Sequence, residues 1–157
     1  MVEPARDERA VDGGTLVVAT VNLLGYQARF EERWPLLVAG IAREAPDLLA
    51  LQEVSAAHEV GPRVQRALNE AAVQAGQASA YEYVEQPNTR NWELSVGVLS
   101  RLPIVDRQWT ELTGQGRVAL AASVEVGARR LGFVSTHLFW AIGPGGDCSR
   151  LRQAAEL

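Results

Sequence analysis

Apolar residues run almost unbroken through Thr15–Asn22 (TLVVATVN) and through DLLALQEV, which ends at Val54. Short aliphatic runs of this kind, bounded by polar residues, predict buried strands. Between them, Glu31–Ala45 (EERWPLLVAGIAREA) places Trp34, Leu37, Val38 and Ile41 on one face and predicts a helix. Acidic residues open it, Pro35 is tolerated in a first turn, and Pro46 stops it. A strand–helix–strand unit predicts two parallel strands joined by a right-handed crossover.

A second helix is predicted from Val60 to Gln74, with Val64, Leu68 and Val73 on one side and Gly76 beyond its end. Tyr81–Gln86 and Ser95–Arg101 read as strands separated by the loop PNTRN, and Ile104–Leu112 as an irregular edge strand. RVALAASVEV and RRLGFVSTHL flank Gly127–Ala128 and predict an antiparallel hairpin. Gly143–Asp147 (GPGGD) reads as a loop, and Ser149 as the cap of a helix that begins SRLRQAAEL. Residues 1–14 are charged, lack an apolar core and read as a flexible tail, leaving 15–157 as one domain.

Composition narrows the chemistry. The 157 residues are 47% hydrophobic and 22% charged, as in ordinary globular proteins. A net charge of −4 disfavours a protein built to blanket a nucleic-acid backbone. All 15 basic residues are arginine, which excludes lysine Schiff-base chemistry and a Walker-type phosphate loop. Cys148 is the only cysteine, so no internal disulfide and no paired-thiol metal knuckle can form. No run of the sequence is long enough to span a membrane, and the expected location is the cytoplasm. Heavy use of alanine and arginine is compatible with a GC-rich bacterial genome.

Three apolar strands each end in a potent polar residue: Asn22, Glu53 and His137. Ligands of open α/β sheets bind beyond the carboxyl ends of strands, and the parallel pair brings Asn22 and Glu53 to one edge. A carboxylate beside an amide suits a hard, oxygen-seeking cation such as Mg²⁺. Each residue also has an ordinary explanation when taken alone. The glutamate suits a loop or a helix cap, the asparagine a turn, and the histidine a satisfied structural position.

In order along the chain stand TVNLLG, PDLLALQEV, GVLSRLPI, FVSTHL and SRLRQ. This series resembles the endonuclease/exonuclease/phosphatase superfamily. The resemblance implies a four-layered α/β sandwich: two mixed β-sheets face to face, with helices outside. It implies hydrolysis of a phosphoester (nucleic acid, phospholipid or small phosphoester) with Mg²⁺ or Mn²⁺ as cofactor, and does not itself imply a protein partner. Carried over by position, Glu53 is the metal-binding glutamate, Asn22 lies next to metal and phosphate, and His137 contacts the scissile phosphate or helps the leaving group. Glu93 falls near the place of a glutamate that orients a histidine. Arg150 and Gln153 match an R-x-x-Q pair whose expected role is helix packing and capping.

Two further motifs of the family, GDFN and SDH, do not occur. Asp147 is the only aspartate after Asp106, and it lies in the Gly/Pro stretch. The expectation is therefore the amino-terminal portion of such a domain, truncated at the carboxyl end and inactive by itself. The alternative is a non-catalytic remnant or binding module that keeps the half-fold. Trp92, Trp109, Trp140 and Tyr26 are candidates for stacking on substrate, and Arg90, Arg101 and Arg117 for phosphate contact. Core packing and surface solvation explain the same residues equally well.

Overall fold

The apolar run Leu48–Leu51 is continuous because its strand is covered on both faces. The computed structural model describes residues 15–27, 29–77, 80–90, 93–141 and 143–157. The tail at 1–14 and Trp92 fall outside them. The elements, in chain order, are β1 (Val18–Asn22), α1 (Phe30–Glu44), β2 (Leu48–Ser55), a 3₁₀ turn (Ala56–His58), α2 (Val60–Gln74), β3 (Glu82–Pro87), β4 (Leu94–Ser100), β5 (Ile104–Glu111), β6 (Val118–Val126), β7 (Arg129–Thr136) and α3 (Pro144–Ala155).

The first sheet has the order β1-β2-β4-β3 and is mixed: β1 and β2 are parallel, and the other pairs are antiparallel. The second sheet, β5-β6-β7, is antiparallel. Phe30, Ile41, Val60, Val64 and Leu68 from α1, α2 and their ends pack against Leu49, Leu51, Val54 and Leu99 on the outer face of the first sheet. Val96 and Val98 of the same sheet face Val118, Leu120 and Ala122 of the second. This is the layered α/β sandwich expected from the sequence. Each fully buried leucine or valine contributes roughly 1.5–3 kcal/mol of hydrophobic stabilisation.

One side chain couples the helical layer to the sheet at close quarters. Tyr83 of β3 crosses Gly97 of β4 and reaches Gly61 of α2. A Cβ built on Gly61 would lie 1.9 Å from the Tyr83 hydroxyl oxygen, and one on Gly97 would lie 2.8 Å from its ring. The hydroxyl donates to Glu85 Oε2 at 2.7 Å.

The third helix begins earlier than the sequence predicts. GPGGD is not a loop: Pro144 opens α3, Gly143 is its N-cap with φ 100°, and Asp147 lies in the first turn. Ser149 is not a cap, because its hydroxyl donates to the Gly145 carbonyl at 2.9 Å within the helix. Proline suits a first helical turn, where its missing N–H has no partner to lose. Gly146 is required by packing, since a Cβ there would lie 1.8 Å from the Ala141 carbonyl oxygen. Pro35, by contrast, sits in the second turn of α1 rather than the first, and the helix continues through it. Among the described residues, no helix is long and apolar enough to cross a membrane.

Candidate active site

The parallel register pairs Asn22 with Gln52, which brings the ends of β1 and β2 to one edge of the first sheet. The β2–β4 register then slips between Leu51 and Val54, so that β2 carries one residue more than β4 over this span. Glu53 sits in this bulge with φ 52°, a left-handed conformation that costs a non-glycine residue roughly 1–2 kcal/mol. The surrounding backbone holds it there: Leu23 N–H donates to the Gln52 carbonyl at 2.9 Å, and Gly25 N–H to the Glu53 carbonyl at 3.0 Å. The Thr20 hydroxyl donates to Gln52 Oε1 at 3.1 Å.

Asn22 and Glu53 meet directly. Leu24 N–H donates to Asn22 Oδ1 at 2.8 Å, which fixes the amide orientation. The amide nitrogen then donates to Glu53 Oε1 at 3.0 Å. Asn22 thus holds the carboxylate in place, and Oδ1 keeps one lone pair.

The second sheet supplies the rest. The β6–β7 register pairs Ala119 with Thr136, so His137 follows the last pair and Arg117, one residue before β6, lies diagonally across from it. Arg117 Nη1 lies 3.3 Å from His137 Nδ1. His137 Nε2 lies 3.8 Å from Glu53 Oε1, and both side chains are about one-fifth exposed, at 22% and 19%. Below them, the Ser135 hydroxyl donates to the Leu51 carbonyl at 3.1 Å and locks the two sheets together. Asn22, Glu53, His137 and Arg117 therefore form one cluster, fed by strand ends from both sheets.

The cluster is electrostatically mixed. Burial lowers the His137 pKa most, the Arg117 charge lowers it further, and the Glu53 charge partly offsets both. The imidazole is accordingly neutral at neutral pH, and its 3.8 Å approach to Glu53 is not an ion pair. Burial also lowers the Arg117 pKa, against the attraction of Glu53, and a guanidinium remains charged regardless.

Glu93 lies at the same end of the sheet but is exposed, and its backbone carbonyl accepts from Ala56 N–H at 3.2 Å. Among the described residues, no hydrogen bond or ion pair joins its carboxylate to His137. Arg101 is at the opposite end of β4, where it donates to Gln77 Oε1 at 2.9 Å and lies over the Tyr81 ring. Arg90 is exposed beside Gly116. Trp109 and Trp140 are exposed, at 52% and 70%. Tyr26 stacks on His58 with 3.9 Å between ring centroids.

Arg150 and Gln153 support the segment that follows His137. Gln153 is fully buried; its Oε1 accepts from Phe139 N–H at 2.8 Å and its Nε2 donates to the Thr113 carbonyl at 3.2 Å. Arg150 donates to the carbonyls of Phe139 and Ala141 and also pairs with Asp147. Arg117 is the member of the cluster that the sequence did not single out above Arg90 and Arg101. The usable signal was the hairpin, which brings the residue before β6 diagonally next to the residue after β7.

Among the described residues, no three His, Cys, Asp or Glu side chains are grouped as a metal cage. The donor set nevertheless fits a hard cation held by one carboxylate and water. Glu53 offers oxygen at an accessible edge, and Mg²⁺ is commonly bound through one or two carboxylates while keeping several waters.

No protein-family model matches the sequence, and no curated protein matches it. Solved structures do. The human Nocturnin catalytic domain with bound sulfate superposes with a TM-score of 0.70 at 19% identity, over 99% of this chain and 63% of that one. An endonuclease/exonuclease/phosphatase family protein from Leptotrichia buccalis gives 0.65 at 16% identity, over 78% and 53%. The fold is that of the endonuclease/exonuclease/phosphatase proteins. ANGEL2, a 2′,3′-cyclic phosphatase, shares it with a TM-score of 0.68 at 17% identity, over 90% of this chain and 46% of that one. The chain spans less than two thirds of the length of each of these solved chains.

Proposed function

We propose that this chain is the amino-terminal portion of a Mg²⁺-dependent phosphoester hydrolase, and that it carries the metal and phosphate side of the active site. The observation that carries this reading is the convergence of Asn22, Glu53, His137 and Arg117, drawn from four strand ends in two sheets. Structures of the same fold include proteins described as a 2′,3′-cyclic phosphatase and a mannosyl-6-phosphatase.

In this reading Glu53 holds the cation, Asn22 orients Glu53, and His137 and Arg117 face the phosphate. Mg²⁺, when bound, neutralises charge on phosphoryl oxygens. A hydrolase also needs a group that orients or deprotonates water, which contributes roughly 10²–10⁴-fold in rate. Among the described residues, no hydrogen bond or ion pair brings a second carboxylate to the cluster, and Asp147 is engaged by Arg150. We therefore assign turnover to a longer polypeptide and expect the 157-residue chain alone to be inactive. That same shortage of a water-activating group favours the second reading, a non-catalytic module that binds metal or phosphate without turnover.

Titration of the chain with Mn²⁺, followed through water-proton relaxation, tests the site. Saturable binding is expected, weakened at least about tenfold in Glu53→Gln and little changed in His137→Ala. Absence of binding, or equal affinity in Glu53→Gln, sinks the metal assignment. Turnover of a generic phosphodiester by a longer parent polypeptide, lost in both variants, separates hydrolase from module.

A further inference from the structure

We propose that Arg117 is a positioning residue that holds His137 in a single neutral tautomer, with the proton on Nε2 and the lone pair on Nδ1. The tautomer follows from geometry, and its consequence for chemistry rests on the phosphoester-hydrolase reading. Arg117 Nη1 lies 3.3 Å from His137 Nδ1. A guanidinium has five N–H donors and no acceptor. The contact is therefore a hydrogen bond only where Nδ1 accepts, and a neutral imidazole whose Nδ1 accepts carries its proton on Nε2. That nitrogen is the one turned toward Glu53, 3.8 Å from Oε1.

The contact at Nδ1 disfavours every other protonation state, and the neutral Nδ1–H tautomer is disfavoured at Nε2 as well. A proton on Nδ1 sets two N–H groups against each other, and in the neutral ring it also leaves the Nε2 lone pair facing a carboxylate. The hairpin keeps Arg117 where it is needed, because Leu112 N–H donates to the Arg117 carbonyl at 2.8 Å, and the residue immediately precedes β6, next to the end of β7.

The consequence is a division of labour. His137 presents a hydrogen-bond donor at Nε2, the form that meets a phosphoryl or leaving-group oxygen. It does not present a proton acceptor there. Arg117 acts through His137 by choosing which nitrogen carries the proton.

The chain contains two histidines, His58 and His137, so its imidazole spectrum is simple. The 157-residue chain, labelled with ¹⁵N-histidine and free of metal and substrate, is recorded at neutral pH in two-bond ¹H–¹⁵N spectra. A His58→Gln variant assigns the resonances. The wild type is expected to show His137 protonated at Nε2, with Nδ1 shifted as a hydrogen-bond acceptor. In Arg117→Met the Nδ1 resonance moves to its unbonded position and the second tautomer becomes populated; Arg117→Lys, which keeps a donor, restores the wild-type pattern. If the Met variant does not fold, Arg117→Gln, whose shorter side chain falls short of Nδ1, takes its place. Protonated Nδ1 in the wild type, or an Nδ1 resonance unmoved by loss of the arginine, overturns the proposal. The spectrum needs neither cation nor phosphoester, so its failure is distinct from failure of the metal titration.

Discussion

The Asn22 side-chain amide donates to Glu53 Oε1 at 3.0 Å, joining residues that lie 31 positions apart. The contact exists because a helix returns the chain to the same sheet edge, and because Leu24 N–H fixes which end of the amide faces the carboxylate. Replacing Asn22 with alanine removes the only donor described on that oxygen. Loss of such a supporting partner typically weakens metal binding about 10–100-fold. On the proposed reading, Asn22→Ala lowers Mn²⁺ affinity within that range and leaves the unfolding transition nearly unchanged. Unaltered affinity would show that Glu53 needs no orienting partner.

Gln153→Leu is expected to destabilise the fold although the new side chain is apolar. It leaves Phe139 N–H and the Thr113 carbonyl without their partners in a buried place. An orphaned buried polar group costs about 1–3 kcal/mol. Denaturant melts should register a loss of that size or more, and hydrogen exchange at the Phe139 amide should accelerate. Since this amide lies two residues after His137, the same variant should broaden the His137 imidazole signals. A melt identical to wild type would show that water replaces the glutamine without loss.

Acid sensitivity should trace in part to Glu31. Hydrogen bonds from Arg63 first, and from Tyr26 second, hold its pKa below the ordinary 4.5. A folded-state pKa below the unfolded one means stability that is fully present above 4.5 and is lost as pH falls through the folded value. Glu31→Gln should flatten that part of the stability–pH profile and leave the profile above it parallel to wild type. An unchanged acid limb would remove Glu31 from the account.

Gly61→Ala places a methyl group where the Tyr83 hydroxyl already sits. Overpacking of this kind costs about 1–3 kcal/mol. In Tyr83→Leu the clash disappears, so the two changes together should cost less than their sum. Additive effects would mean that Tyr83 moves away from Gly61 at no expense.

Edge strands β1 and β7 expose apolar side chains, with Val18 at 53%, Val134 at 47% and Leu131 at 37%. Among the described residues, each strand pairs on one side only, which leaves backbone donors and acceptors available to another chain. The isolated chain is expected to self-associate and to melt broadly. Val18→Lys and Val134→Lys should shift it toward monomer in sedimentation experiments. A sharp transition in a monomeric wild type, with Mg²⁺-dependent turnover, would contradict both this and the expected inactivity.

The strand-end cluster was legible where local pattern and topology agree. The β-α-β unit alone places Asn22 near Glu53, and the hairpin is marked by Gly127, which takes φ 59°. Less legible was what depends on contacts between distant segments. The start of α3 reads as a loop because glycine and proline disfavour helix interiors, yet the Ala141 carbonyl fills the space a side chain at Gly146 would need. Glu93 has the right place in the chain, but its side chain takes no partner at His137, whose Nδ1 is met by Arg117 instead. No periodicity announces the bulge, since positive φ at a glutamate follows from the strands around it.

That bulge gives the site a dependence on chain length that composition does not reveal. Leu51 and Val54 both face the helical layer although three positions separate them, so the inserted residue restores the parity of the strand. Deleting Gln52 would therefore keep Leu49, Leu51 and Val54 on the side they now occupy, while drawing Glu53 opposite Val96 and into the interior between the sheets. A structure of this deletion with Glu53 still on Asn22 would contradict the inference. A single lost codon can thus leave every apolar residue in place and still erase the cluster, so that in diverged copies of this chain the spacing of Glu53 from the apolar run is diagnostic and sequence similarity across the core is not.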